Sequence, residues 1–203
     1  WVIKKPENLS LKDSMAYGTA GLTAGLCVRK ILNSGVKPED GEVFVTGATG
    51  GVGIISVMLL SKLGFNVVAI SGKKDQKDLL LSLGAKEVID RSEFEGEMKS
   101  PLAKPRWAGG VDAVGSDILS NLITSTHQRA AVACCGMVGG IELKTSIFPF
   151  ILRGLSLLGL DSAETLIEVK EEIWNNFSSN WKLEKINDQI KDCLLYTSPS
   201  PRD

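Results

Sequence analysis

The sequence predicts an α/β fold: a doubly wound parallel sheet with helices on both faces. Three observations predict it. A β-branched strand, Val43-Phe-Val-Thr46, runs into a glycine-rich turn and straight on into a helix. Short apolar strands then alternate with helical segments as far as Leu160. Some strands, such as Ala130-Ala-Val-Ala-Cys-Cys135, are apolar at every position. Alternation of this kind returns the chain to one sheet through right-handed crossovers, which makes neighbouring strands parallel. A strand without a polar face suits a sheet covered on both sides.

Before the first strand, Ser14 is placed to cap an apolar helix over Met15–Leu32, rich in Gly18, Ala20, Gly21, Ala24 and Gly25. Small residues let a helix approach a neighbour closely, at a cost in intrinsic helicity. Pro38 and Gly41 mark a turn. The first strand is Glu42–Thr46 and its helix Gly51–Leu63; the second strand is Asn66–Ser71, followed by a helix near Asp75–Leu83 that Gly84 ends. Glu87–Asp90 is the third strand, and a polar stretch, Arg91–Arg106, leads to a fourth at Val111–Val114. A helix over Asp117–Ser125 precedes the fifth strand, Ala130–Cys135. The turn Gly136–Gly140 follows, with a sixth strand at Leu155–Leu160. A last helix over Ala163–Phe177 sets Leu166, Val169, Ile173 and Phe177 on one face.

Composition narrows the function classes. Hydrophobic content of 43%, charged content of 23% and a net charge of -1 describe an ordinary globular chain. Nothing in that balance suits nucleic acid or an anionic membrane surface. No apolar run reaches the ~18 residues of a membrane span. The cysteines, Cys27, Cys134, Cys135 and Cys193, show no C-x-x-C spacing. Reduced, buried thiols of a cytoplasmic protein fit that pattern better than a disulfide framework. With His127 as the single histidine, no zinc site built from this chain is expected.

The glycine turn, Thr46-Gly-Ala-Thr-Gly-Gly-Val-Gly53, has the form a dinucleotide pyrophosphate requires. Glycines permit a tight turn and close backbone approach, and the helix N-terminus offers unpaired N–H groups and a positive dipole end. The string fits both the T-G-x-x-x-G-x-G of short-chain dehydrogenases and the A-x-G-G-V-G of zinc-independent medium-chain reductases. The short-chain reading fails. About 40 residues precede the strand, and Tyr17 and Tyr196 are followed four positions on by Gly21 and Ser200, not lysine. After the second strand stands Ser71-Gly-Lys-Lys74, where an NAD-specific site carries an acid. A hydroxyl and lysines suit the 2′-phosphate of NADP, with Arg91 as a second cation, while Asp75 is placed as a helix cap.

Further segments occur in a fixed order: Met15-Ala-Tyr-Gly-Thr-Ala-Gly-Leu-Thr-Ala24, the Gly47–Gly53 loop, Ser71-Gly-Lys73, Ser82-Leu-Gly-Ala85, Trp107-Ala-Gly109, Asp112-Ala-Val-Gly115, Pro149-Phe-Ile-Leu-Arg153 and Gly159-Leu-Asp-Ser162. Together they closely resemble the NADPH-dependent acrylyl-CoA reductases and quinone oxidoreductases of the medium-chain dehydrogenase/reductase superfamily, over residues 1 to about 190. The resemblance implies a Rossmann domain preceded by a GroES-like catalytic domain that is absent here. It also implies hydride transfer from NADPH to the β-carbon of an α,β-unsaturated thioester, an acyl-CoA, and a homodimer paired through the last strand. On this resemblance Thr49, Gly50, Gly51 and Val52 meet the pyrophosphate. Ser71, Gly72, Lys73 and Arg91 meet the adenosine 2′-phosphate, and Met137, Ile151 and Ser162 approach the nicotinamide.

Residues 1–40 then read as a connecting segment, 41–165 as the NADP-binding domain, 166–194 as a truncated return, and 195–203 as a non-native tail. No proton donor is assigned. Asp112 ends a strand beside the cleft with packing, ribose-adjacent and catalytic roles open. Cys134 and Cys135 are poor nucleophiles if their apolar strand raises both thiol pKa values. Reduction of quinones or other activated alkenes is the near alternative; a non-catalytic NADPH-binding sensor or structural protein is the distant one.

Overall fold

Six strands, β1 (Glu42–Thr46), β2 (Asn66–Ser71), β3 (Glu87–Asp90), β4 (Trp107–Asp112), β5 (Thr126–Cys134) and β6 (Ser156–Gly159), form one parallel sheet in the order β3-β2-β1-β4-β5-β6. The computed structural model describes residues 2–190; the tail at 195–203 and Cys193 lie outside the described residues. Side chains alternate across the sheet along β1, β2 and β5. Val43 and Val45, Val67 and Ala69, and Ala131 and Ala133 enter one core. Phe44, Val68, Ile70, Ala130 and Val132 enter the other. The period of two explains why these strands carry apolar residues throughout: both of their faces are interior.

Helices α1 (Leu11–Asn33), α2 (Gly51–Lys62), α3 (Lys77–Ser82) and α6 (Ile167–Phe177) supply residues to the first core. Helices α4 (Ser116–Thr124) and α5 (Phe148–Arg153) pack on the second. Among the small residues of α1, Gly25 faces α6, where a Cβ would lie 2.6 Å from Ile173 Cγ2, and Ala20 faces the start of α2, its Cβ 3.1 Å from where a Cβ on Gly51 would lie. Tyr17 stacks on Phe177 at 4.2 Å between ring centroids, and its hydroxyl accepts a hydrogen bond from Leu183 N–H at 2.8 Å. Gly25 and Ala20 are therefore packed against helices of this chain.

Several expected boundaries move. Helix α1 begins earlier, with Ser10 in the cap role given to Ser14, its Oγ accepting from Asp13 N–H at 2.9 Å. It breaks at Gly18, whose φ of 50° and ψ of -152° are not helical. Strand β4 starts at Trp107, four residues before the expected Val111. The pair Gly109-Gly110 hides it, because glycine has low strand propensity. Gly110 is needed there: a Cβ would come within 2.5 Å of the Phe44 ring. Strand β5 starts at Thr126, and α5 was not expected from the sequence at all. Helix α6 starts at Ile167 instead of Ala163. Asp75 caps nothing; it lies in the 3-10 turn Lys74–Gln76 and accepts from Gln76 Nε2 at 2.8 Å.

Burial raises the Tyr17 phenol to a pKa of about 12. The folded state keeps this proton above pH ~10 where the unfolded chain loses it, so stability is full below pH ~10 and falls between there and pH ~12. Tyr17→Phe is expected to cost ~1–3 kcal/mol at neutral pH by orphaning the Leu183 N–H. It should also flatten the alkaline loss. Urea melts of both proteins at neutral and alkaline pH check this, and an unchanged alkaline slope would assign the loss to another group.

Candidate dinucleotide site

The sheet order reverses between β1 and β4, and a crevice opens beyond their carboxyl ends, where α/β sheets of this kind hold ligands. A cleft of about 300 Å³ lies there, lined by Thr46, Gly47 and Thr49 after β1, Ile70 to Lys73 after β2, and Arg91 after β3. Val114, Ile118 and Val138 close its other wall.

Backbone geometry makes the floor. Gly47 has φ 58°, and its carbonyl accepts from Gly50 N–H at 2.9 Å, which sets the turn. A Cβ on Gly53 would lie 2.2 Å from Gly47 O, so α2 approaches the end of β1 only because that position is glycine. The helix starts without a side-chain cap at Gly50. Its first N–H groups have no intrahelical acceptor, and the dipole favours an anion. Gly50, Gly51 and Val52 form this helix start, and Thr49 lies in the cleft wall.

The second wall carries the charge. Ser71 is buried, and its Oγ accepts from Lys73 N–H at 3.1 Å. That bond folds the chain after β2 so that Lys73 faces the cleft. Arg91 lies over Gly72: a Cβ there would be 2.7 Å from Arg91 Nε. Ser71, Gly72, Lys73 and Arg91 are therefore brought together. The second lysine is not part of the set; Lys74 Nζ pairs with Asp90 at 3.2 Å. Arg91 Nε pairs with Glu95 at 3.0 Å while remaining exposed. A surface pair of this kind is weak, ~0.3–0.5 kcal/mol at i,i+4 spacing, so an incoming dianion outcompetes it.

Met137, Ile151 and Ser162 stand apart from this cleft. The side chains of Met137 and Ile151 are 71% and 70% exposed, so neither packs into the described core. Ser162 is half-buried after β6. The sequence reading missed Val114, Ile118 and Val138. Each follows a strand end by two to six positions, a signal visible only once strand order is known.

Asp112 lies at the end of β4. It is fully buried; one carboxylate oxygen accepts from Thr46 Oγ1 at 2.6 Å and the other from Gly115 N–H at 2.8 Å. The Thr46 hydroxyl accepts in turn from Ala113 N–H at 3.0 Å. Asp112 ties together the ends of β1 and β4 and is a positioning residue. Burial holds its carboxyl above the usual carboxylate range, opposed by the bonds from Thr46, Gly115 and Val114. Burial also raises the Cys134 thiol, as expected. Cys135 departs from expectation: a hydrogen bond from Cys27 lowers it. Among the described residues, no group of three or more His, Cys, Asp or Glu is placed to hold a metal ion, and no helix is long and apolar enough to cross a membrane.

With its pKa raised, Asp112 stabilises the fold most below pH ~4 and less as pH rises through the folded value. Thr46→Val removes a bond that favours the carboxylate, so the loss should be ~1–3 kcal/mol near neutrality and smaller near pH ~4. Equal losses at the two pH values in urea melts would show that the carboxylate is not what Thr46 serves.

Comparison with known proteins follows the same lines. The chain is 45% identical over 187 residues to YhfP of Bacillus subtilis strain 168, which carries a quinone oxidoreductase name, covering 92% of this chain and 56% of the relative. The crystal structure of yhfP with NAD bound matches with a TM-score of 0.89 at 44% identity, covering 92% of this chain and 56% of that one. The acrylyl-CoA reductase AcuI of Ruegeria pomeroyi is 37% identical over 199 residues, 98% of this chain and 60% of the relative. Escherichia coli K-12 YhdH with bound NADPH matches with a TM-score of 0.89 at 42% identity, covering 93% of this chain and 58% of that one. The chain thus spans somewhat over half the length of these relatives. A family model described as zinc-binding dehydrogenase matches residues 51–179. On that match and these relatives, the chain belongs to the zinc-binding dehydrogenase family, within the medium-chain dehydrogenase/reductase superfamily.

Proposed function

We propose that this chain is the NADPH-binding part of a reductase that adds hydride to the β-carbon of an α,β-unsaturated acyl-CoA thioester. The observation that carries the proposal is the convergence of Ser71, Lys73 and Arg91 beside the Gly47–Gly53 turn, without an acidic side chain in the cleft lining. An acid at the end of β2 would accept from both ribose hydroxyls and repel a 2′-phosphate. Here Lys73 and Arg91 bring positive charge, and the Ser71 hydroxyl proton is free to donate to a phosphate oxygen while its oxygen holds the Lys73 N–H. When bound, NADPH supplies the hydride. The residues of this chain hold its adenosine and pyrophosphate, and Asp112 fixes the two strand ends between which it lies.

The thioester substrate rests on likeness to AcuI; reduction of a quinone or another activated alkene rests equally on likeness to YhfP. The relatives also divide over cofactor, since yhfP was solved with NAD and YhdH with NADPH. Local charge favours the phosphorylated form in this chain. Exposed Met137 and Ile151, with Ser162, are assigned to the nicotinamide end, where the rest of the enzyme would cover them. A dimer through β6, at the sheet edge, completes the proposal; a free edge strand is a ready pairing template. The enzyme is placed in the cytoplasm and needs no zinc.

Lys73→Ala is expected to weaken NADPH binding roughly tenfold to a hundredfold, the worth of a charge-assisted bond at ~1.5–3 kcal/mol. NADH binding should change little. Equal losses in fluorescence titrations with both cofactors would remove Lys73 from the 2′-phosphate. The complete enzyme should keep its activity after exhaustive chelation, with no stoichiometric zinc by elemental analysis. Activity lost to chelator and restored by zinc would overturn the metal-free assignment.

A further inference from the structure

We propose that Asp90 is a positioning residue for cofactor choice: its carboxylate fixes the turn that carries Arg91 and the segment that carries Lys73 against each other. The inference rests on the reading of Lys73 and Arg91 as partners of the adenosine 2′-phosphate. Asp90 closes β3, and its register partner on the neighbouring strand is Ser71, the last residue of β2. The two segments that follow therefore leave the sheet side by side. One carries Gly72 and Lys73 and the other Arg91, and these residues line the same cleft, which Asp90 does not line.

Each oxygen of the Asp90 carboxylate serves one segment. Oδ1 accepts from Ser92 N–H at 3.0 Å and caps the 3-10 turn Arg91–Phe94. A capping side chain of this kind fixes the backbone on both sides of Arg91. Oδ2 pairs with Lys74 Nζ at 3.2 Å and so anchors the turn Lys74–Gln76, which begins directly after Lys73. The Lys74 ammonium also cancels the charge of Asp90, so a carboxylate stands beside the cationic wall without repelling an arriving phosphate. The cap carries more of the effect than the pair, because the Lys74 side chain is 85% exposed and pairs so exposed contribute little. Glu95 acts differently. It pairs with the Arg91 guanidinium itself and competes with a phosphate, whereas Asp90 holds the Arg91 backbone turn and leaves the guanidinium to the ligand.

The test is paired titration of the full chain with NADPH and NADH, followed by cofactor fluorescence, for the wild type, Asp90→Ala and Asp90→Asn. Asp90→Ala removes both contacts and is expected to weaken NADPH binding roughly threefold to tenfold, with NADH changing by less than about twofold. Asp90→Asn keeps an acceptor for Ser92 N–H and sheds the charge, so it should bind NADPH at least as tightly as the wild type. Unchanged NADPH binding in Asp90→Ala, or equal losses for both cofactors, would overturn the proposal. So would a loss in Asp90→Asn as large as in Asp90→Ala, which would assign the effect to the Lys74 pair. Hydrogen exchange of the wild type needs no variant to fold: the Ser92 amide should gain protection with NADPH and not with NADH, and equal protection would overturn the proposal. A wild type that binds both cofactors equally would remove the 2′-phosphate reading, and this proposal with it.

Discussion

The buried hydrogen bonds of Asp112 are the constraint on which the rest of the site depends. A doubly wound sheet reverses direction at one place, and there the ends of two neighbouring strands must diverge while staying rigid. A carboxylate buried without partners costs several kcal/mol. Asp112 is tolerable only because Thr46, Gly115 and Val114 donate to it, and those donors come from both sides of the reversal. The same bonds set the Gly47 turn against the loop after β4. That in turn places the start of α2, whose approach to β1 admits no side chain at Gly53. Thr46 is thereby committed to the scaffold even though it lies in the cleft lining.

Charge at the second wall is arranged by elimination. Of the cations that follow β2 and β3, Lys74 is held by Asp90, whose carboxyl falls to about 2 chiefly through the backbone N–H of Ser92. Among the described residues, Arg91 pairs with exposed Glu95, a contact a phosphate can displace. Lys73 lines the cleft, positioned through its own backbone by Ser71. Three basic residues so close in space are therefore not equivalent: Lys73 and Arg91 line the cleft and Lys74 does not.

Much of the fold was legible because its signals are local. Strands β1, β2 and β3 end where the apolar runs end, since Gly47, Gly72 and Arg91 interrupt them. Strand β4 was misplaced because its first half is chosen by packing against Phe44 and not by propensity. The kink at Gly18 and the cap at Ser10 were obscured by a run of small residues that reads as helix throughout. At the site, the glycine turn and the Ser71–Lys73 segment could be read as a motif. The difference between Lys73 and Lys74, the role of Asp112 and the lowered Cys135 thiol depend on partners 16 to 108 positions away, which no local pattern carries.

The central claim is that this cleft recognises the 2′-phosphate of the adenosine. Calorimetric titration of the chain with adenosine 2′,5′-bisphosphate and with adenosine 5′-monophosphate isolates that single group. The account predicts saturable binding of the bisphosphate at least ~tenfold tighter than the monophosphate, with displacement by NADPH, since one charge-assisted contact is worth ~1.5–3 kcal/mol. Equal affinities for the two nucleotides would contradict it.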